Sequence, residues 1–227
     1  MGNLQNKLKV IPENTECFIL IHGLARTSRC MNKAASIIER YGYDVINIDY
    51  PSRKKSIEQL VKEDIRPIIK SCESKNCKQI HFLTHSMGGI LLRYYLSLHS
   101  INNLGKTVML APPNQGSEIV DKLGHLAIFS FLNGPAGLEL GTDNKSIPKQ
   151  LGGLDFEAGI ITGNKSINPL LSALITGNND GKVSINNAKT KGMKDFLVVP
   201  SPHPFIMQKT SLIHQALFFS QNGVFYR

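Results

Sequence analysis

Several features that mark membrane or secreted proteins are missing from this sequence. No apolar run approaches the ~18 residues needed to span a membrane. The amino terminus, MGNLQNKLKVIPENTEC, lacks the apolar segment of about 7 to 15 residues that a secretion signal requires. We therefore expect a cytoplasmic protein, although an exported form whose signal had been removed would have the same sequence.

Cysteine is scarce, and its spacing excludes the common metal sites. The four cysteines are Cys17, Cys30, Cys72 and Cys77, and no CxxC pair or Cys/His set has the spacing of a zinc site. The sequence therefore predicts no metal and no cofactor. Cys72 and Cys77 bracket a short polar stretch, so a local disulfide is conceivable, but reduced thiols are the expectation for a cytoplasmic protein.

Clustered positive charge of the kind that binds nucleic acid is also missing. Lys and Arg number 26 against 17 Asp and Glu, a net charge of +9, yet the cations are mostly scattered. The densest groups are 53–55 and the lysines at 182, 189, 191 and 194. Without a basic helix or an aromatic-interleaved patch, no nucleic-acid partner is expected. Contact with a membrane surface has no support in the sequence, and nothing in it indicates an oligomeric state.

The alternation of strand-like and helix-like segments predicts an α/β fold. The 227 residues, 41% of them apolar, suffice for a single domain, 1–227, with one sizeable core. Its sheet should be doubly wound and mostly parallel, with about six strands. The predicted strands are 17–21, 43–48, 79–84, 106–110, 156–162 and 196–199. Residues 114–154 show no clean strand, and we interpret them as a helical cap insertion within that domain.

The segment Thr84-His85-Ser86-Met87-Gly88 carries the strongest functional signal. A serine in a tight turn between a buried strand and a helix is typical of a nucleophile elbow. Thr84 stands where the usual pattern has glycine, so the neighbouring loop must accommodate a β-branched side chain. The alternative is that Ser86 only caps the helix that follows.

A serine nucleophile needs a base and an orienting acid, which follow it along the chain in the order acid, then histidine. His203 lies in a turn after the last predicted strand, at the same sheet edge as Ser86, whereas His214 falls in the apolar phase of the terminal helix. Asp180 lies in the loop after the fifth strand, whereas Asp155 and Asp195 belong to the opposite edge. The sequence thus predicts His203 as base and Asp180 as acid. The alternative for Asp180 is a plain Asp-Gly turn.

Two backbone amides are candidates for an oxyanion hole. Gly23 allows the chain to turn after the first strand, so that the Leu24 amide can point inward. The second donor is the Met87 amide, directly after the nucleophile. An ordinary strand-to-helix turn is the alternative for Gly23.

The apolar residues of 114–154 are candidates for substrate binding. Phe129, Phe131 and Leu132 could line an acyl pocket or act as a mobile cap, and ordinary helix packing explains them equally well. If Phe131 lines the pocket, a small residue there should change the preferred acyl length.

Six segments, FILIHGLARTS, IDYPS, LTHSMGG, LAPPNQGSE, NNDGKVS and SPHPFIM, resemble in this order the core motifs of small bacterial α/β-hydrolases of the lipase and esterase type. The likeness extends to acetyltransferases and hydrolases of that fold and to the GPI-inositol-deacylase-like group, and it spans roughly residues 16–225. It implies a reduced α/β-hydrolase fold and a serine esterase with the residue roles given above. The expected partner is a small-molecule or lipid-like ester. An acyltransferase or thioesterase on the same triad, or a non-catalytic binding protein, remains open.

Overall fold

One parallel sheet organises the molecule. The computed structural model describes residues 4–12, 15–75 and 77–227. Its six strands lie in the order β2-β1-β3-β4-β5-β6, and every neighbouring pair is parallel. The strands are β1 (Glu16–Ile21), β2 (Asp44–Ile48), β3 (Gln79–His85), β4 (Leu104–Leu110), β5 (Ala158–Gly163) and β6 (Asp195–Val199). The predicted fold class, a doubly wound sheet of about six strands, is confirmed.

Helices follow the strands along the chain. They are α1 (Asn32–Glu39), α2 (Ile57–Leu60), α3 (Arg66–Glu73), α4 (Met87–Leu98), α5 (Glu118–Leu123), α6 (Ala127–Leu138), α7 (Ile147–Gln150), α8 (Pro169–Ala173), α9 (Ile185–Ala188) and α10 (Thr210–Asn222). Short 3₁₀ segments cover Leu4–Lys7, Ser28–Met31 and His203–Gln208. Within the described residues, no helix has the length and apolar content to cross a membrane.

The apolar run of β1 supplies two cores, one on each face of the sheet. Successive side chains of a strand point to opposite faces. Ile19 and Ile21 therefore pack with apolar residues of α2, α3 and α4, whereas Phe18 and Leu20 pack with those of α1 and α10. Because both faces are covered by helices, the strand is buried throughout, as a continuous apolar run predicts.

Pro67 alters the second helical segment without ending it. A π-helical turn, Val61–Ile65, joins α2 to α3, and Pro67 lies in the first turn of α3. Proline lacks the N–H that an α-helical hydrogen bond requires and crowds the preceding turn, which a local widening of the helix relieves.

Between β4 and β5 the chain forms α5, α6 and α7. Helix α6 is broken internally at Gly134, with φ 66° and ψ −175°, directly before Pro135. This extended glycine conformation lets the chain pack against the backbone of Arg53. The assignment of 114–154 as a cap inserted in a single domain stays a prediction.

Close contact between α4 and the end of β1 requires glycine at position 88. A Cβ there would lie 2.6 Å from the His22 carbonyl oxygen and still nearer to that of Ile21. A Cβ at the adjacent Gly89 would instead meet side-chain atoms, Oγ1 of Thr84 at 3.2 Å and Cβ of Pro112 at 3.3 Å.

We expect Gly88→Ala to lower the free energy of unfolding by about 2 kcal/mol, because the clash with main-chain atoms outweighs the ~1 kcal/mol helix preference of alanine. Gly89→Ala, the matched control on the same helix, should cost distinctly less. Urea denaturation of both variants measures the difference, and equal losses would contradict the close contact at position 88.

Candidate active site

Three loops at the carboxyl edge of the sheet bring Ser86, Asp180 and His203 together. Ser86 follows β3, Asp180 lies between β5 and β6, and His203 follows β6. His203 Nδ1 lies 2.8 Å from Asp180 Oδ2, and His203 Nε2 lies 3.0 Å from Ser86 Oγ. A carboxylate only accepts hydrogen bonds, so Nδ1 carries the proton and Nε2 is free to accept one from the serine hydroxyl. This is the geometry of a Ser-His-Asp triad.

Ser86 occupies a strained backbone conformation. Its φ of 53° and ψ of −124° lie outside the regions that non-glycine residues ordinarily adopt. The Ser86 N–H donates to the Leu110 carbonyl of the neighbouring strand at 2.8 Å, which holds the turn in place. The hydroxyl makes no capping hydrogen bond to α4. The capping alternative is therefore not what the structure contains, and the hydroxyl faces His203 instead.

The structure explains how the elbow tolerates Thr84 in place of glycine. Thr84 is fully buried, and the neighbour that makes room for it is Gly89 of α4, where a Cβ would lie 3.2 Å from Thr84 Oγ1. We expected a neighbouring loop to accommodate the Thr84 side chain, and the structure shows that α4 contributes space as well. The missing side chain on the following helix provides the space.

Asp180 is held by its own loop as well as by His203. Its Oδ1 accepts the amides of Lys182 at 3.0 Å and Val183 at 2.8 Å, and the carboxylate is 1% exposed. The Asp180 carbonyl also accepts the His203 N–H at 3.0 Å. Both carboxyl oxygens are thus engaged, and the acid loop and the histidine loop are tied by main chain and side chain together.

His85 supports the histidine loop, a role that sequence reasoning missed. Its Nε2 lies 3.2 Å from the His203 carbonyl oxygen, which can only accept, so Nε2 donates. Burial holds the pKa of His85 well below its usual value, and the nearby His203 lowers that pKa further. A neutral His85 with a fixed tautomer therefore anchors the main chain of His203. The two residues are 118 positions apart, so no local pattern signals the contact.

The amides of Leu24 and Met87 are available as donors beside Ser86. A Cβ at Gly23 would lie 3.0 Å from Ser86 Cβ, so the turn after β1 passes directly over the serine. Neither amide donates a hydrogen bond to any residue that the structure describes. The next amide, that of Ala25, donates to the buried Ser52 hydroxyl at 3.1 Å and fixes the turn from behind.

An apolar cavity of about 340 Å³ opens beside Ser86 and His203. Its apolar wall comes from the turn after β1, from α5, α6 and the residues just after α6, and from the segment after β5. The wall residues include Leu24, Ile119, Val120, Phe129, Leu140, Ile167 and Leu171. Such a volume is within the range of small-ligand sites.

Of the three predicted substrate-binding residues, only Phe129 lines this cavity. Phe131 is 82% exposed and borders a neighbouring depression instead, and Leu132 is 50% exposed. The placement of Phe131 and Leu132 in the pocket is thus corrected. Two helical positions correspond to about 200° of rotation, so Phe131 faces away from the cavity that Phe129 enters.

Among the described residues, one group of side chains could hold a metal ion, and none of its members lines this cavity. The sulfur atoms of Cys17, Cys72 and Cys77 lie within 4.8 Å of one another, all buried, near the amino end of β1. The spacing of the cysteines along the chain does not predict this cluster. The nearest neighbour of the Cys72 sulfur is Cys17, at 3.0 Å, and all four cysteines are free thiols, so the structure contains no Cys72–Cys77 disulfide.

The buried, neutral His85 should make folding stability depend on pH. In the unfolded chain His85 binds a proton below its ordinary pKa, whereas in the folded chain it does not, so stability is complete above about pH 6.5 and falls as the pH is lowered. Between about pH 7.5 and pH 5.5, the wild type should lose about 1 kcal/mol more than His85→Gln. Denaturant titrations at both pH values measure this, and parallel losses would show that folded His85 takes up a proton.

Comparison with known proteins agrees with the fold described above. No model of a known protein family matches the sequence. Among curated proteins, the lysosomal thioesterase PPT2-B of Xenopus laevis is 27% identical over 106 residues, which cover 43% of this chain and 36% of that protein. The matched region is thus little more than a third of the relative's length.

Solved structures match over most of the chain. The mature lipase BlEst2 of Bacillus licheniformis has a TM-score of 0.69 and 18% identity, covering 88% of this chain and 89% of its own. Phospholipase PlaB of Legionella pneumophila has a TM-score of 0.71 and 17% identity, covering 90% of this chain and 57% of its own. The chain has the α/β-hydrolase fold that these lipases share, in a reduced form with six parallel strands.

Proposed function

We propose that this protein is a serine hydrolase that cleaves carboxylic esters through an acyl-enzyme. The observation that carries the proposal is the continuous hydrogen-bond chain from Ser86 through His203 to the buried Asp180. The likeness of the fold to lipases supports ester hydrolysis in general. The reaction needs no metal or cofactor, because the base, the acid and the oxyanion donors all come from the chain.

The mechanism follows from the positions of the donors and acceptors. As Ser86 Oγ attacks the ester carbonyl carbon, His203 Nε2 takes its proton, and Asp180 stabilises the resulting imidazolium. The unpaired amides of Leu24 and Met87 donate to the oxygen that becomes negative. The carbon–oxygen bond then breaks and His203 protonates the leaving alcohol. Water, deprotonated in turn by His203, releases the acid and restores Ser86.

Thioester cleavage is the second candidate, and the partial likeness to a lysosomal thioesterase favours it. The same triad performs both reactions, because only the leaving atom differs. Transfer of the acyl group to an alcohol or amine would follow if the cavity admitted such an acceptor in place of water.

A fluorophosphonate probe tests the nucleophile directly. We expect one covalent adduct on the wild type, no adduct on Ser86→Ala, and labelling slowed by about 10³-fold or more on Asp180→Asn, which disturbs the histidine tautomer. Ser97→Ala, at the far end of α4, serves as the control and should label normally. Intact mass spectrometry reads the outcome, and persistent labelling of Ser86→Ala would remove Ser86 from the proposed role.

The apolar cavity should determine acyl length, with Phe129 as one wall. Phe129→Ala enlarges the cavity, so the ratio of kcat/KM for a long-chain to a short-chain p-nitrophenyl ester should rise by roughly tenfold. Leu132→Ala removes a neighbouring apolar side chain that does not line the cavity, and its ratio should match the wild type. If the two variants behaved alike, the acyl group would have to bind elsewhere.

A further inference from the structure

A second, positively charged groove adjoins the apolar cavity. It encloses about 1000 Å³, and its walls carry the cations Arg26, Arg29, Arg53 and Lys54, with Asp49 as its carboxylate. The cavity and the groove share Ala25 and Arg26, which directly follow the candidate oxyanion donor Leu24. A molecule whose ester carbonyl lies at Ser86 can therefore reach both spaces.

The cations of this groove form no salt bridges in the part of the chain that the structure describes. The adjacent Lys55 behaves differently, since it pairs with Glu63 at 3.0 Å and Asp64 at 2.7 Å. Asp49 does not neutralise the groove, because it is a single carboxylate facing four cations. It also accepts the Ser28 amide at 2.7 Å and lies 3.7 Å from His22 Nε2. The hydrogen bond from the Ser28 amide contributes most to lowering the pKa of the Asp49 carboxyl, and Arg29 helps to lower it although it forms no salt bridge with that carboxyl.

The groove is held in place by the same contacts that hold the site. The loop that carries Arg53 and Lys54 is joined to the turn after β1 by the hydrogen bond from the Ala25 amide to Ser52 Oγ. This is the turn that carries the candidate oxyanion donor Leu24. The cap holds its other side, where the Ala136 amide donates to the Lys55 carbonyl at 3.2 Å. The main chain of the loop that carries Arg53 and Lys54 is therefore anchored to the turn after β1, and the exposed cationic side chains extend into the groove from it.

We propose that the groove binds the phosphate of the leaving group, so that the substrate is an acyl ester or thioester of a phosphate-bearing alcohol or thiol. This inference rests on the proposed serine hydrolase. The apolar cavity takes the acyl chain, and the arginines bind phosphate oxygens through paired N–H donors, which suit phosphate better than a point charge does. Because Arg26 lines both spaces, one molecule can place its acyl chain in the cavity and its leaving group in the groove.

Two pairs of substrates test the proposal, and in each pair one compound carries phosphate and the other does not. The two pairs also distinguish an alcohol leaving group from a thiol leaving group. The oxygen-ester pair is 1-butyrylglycerol and 1-butyrylglycerol 3-phosphate. The thioester pair is S-butyrylpantetheine and S-butyryl-4′-phosphopantetheine. In at least one pair, the phosphate-bearing member should have a kcat/KM roughly tenfold or more higher at low ionic strength, and salt should reduce this preference. The pair that responds identifies the leaving group as an alcohol or a thiol.

Variants that remove positive charge from the groove test whether its cations cause the preference for the phosphate-bearing substrate. Arg53→Gln combined with Lys54→Gln should lower the ratio of phosphate-bearing to neutral kcat/KM by roughly tenfold. The control, Lys62→Gln combined with Arg66→Gln, removes the same two charge types from exposed positions that line neither space, and it should retain the ratio.

The outcomes separate this inference from the function on which it rests. Equal kcat/KM within both pairs, or equal loss in the two double variants, overturns the phosphate subsite while leaving the hydrolase intact. If no compound is turned over, calorimetric binding of the four compounds to Ser86→Ala decides the matter. Tighter binding of the phosphate-bearing members then supports the groove, and equal affinity within each pair overturns it.

Discussion

The hydrogen bond between the Asp180 carboxylate and the His203 ring is the interaction on which the site depends. It joins two loops that leave different strands, and a main-chain hydrogen bond between the same two residues supports it. The carboxylate is buried and both its oxygens accept hydrogen bonds, so it remains an acceptor that selects one tautomer of the imidazole. The free Nε2 of His203 then faces Ser86, and the rest of the proposed chemistry follows from that orientation.

The turn after β1 links this chemistry to substrate binding. The Ser52 hydroxyl accepts the Ala25 amide, and the Tyr50 hydroxyl donates to the His22 carbonyl at 2.5 Å, so the loop after β2 supports the turn from both sides. The same loop carries cations of the basic groove. One small assembly of main chain thus determines where an oxyanion, an acyl chain and a phosphate would lie relative to one another.

Sequence patterns could predict the strands and the convergence of the triad, because the carboxyl ends of parallel strands meet at one edge. They could not predict contacts that depend on the phase or packing of distant elements. From the sequence, Phe131 could line a pocket, form a mobile cap or pack within its helix, and only the packing of α6 decides which of its faces turns inward. The sulfur cluster around Cys17 depends on side chains from separate elements, and its two closest members lie 55 positions apart.

The nucleophile segment illustrates why a short motif can specify so much. Three of its residues have different neighbours: Thr84 packs on Gly89, His85 anchors the His203 carbonyl, and Gly88 allows α4 to touch the end of β1. Strain at the Ser86 backbone persists only when such surroundings over-determine it. Buried hydrogen bonds and close contacts on every side meet that condition. The proposed nucleophile is therefore oriented by the fold as a whole, and its reactivity should not require a rearrangement when substrate binds.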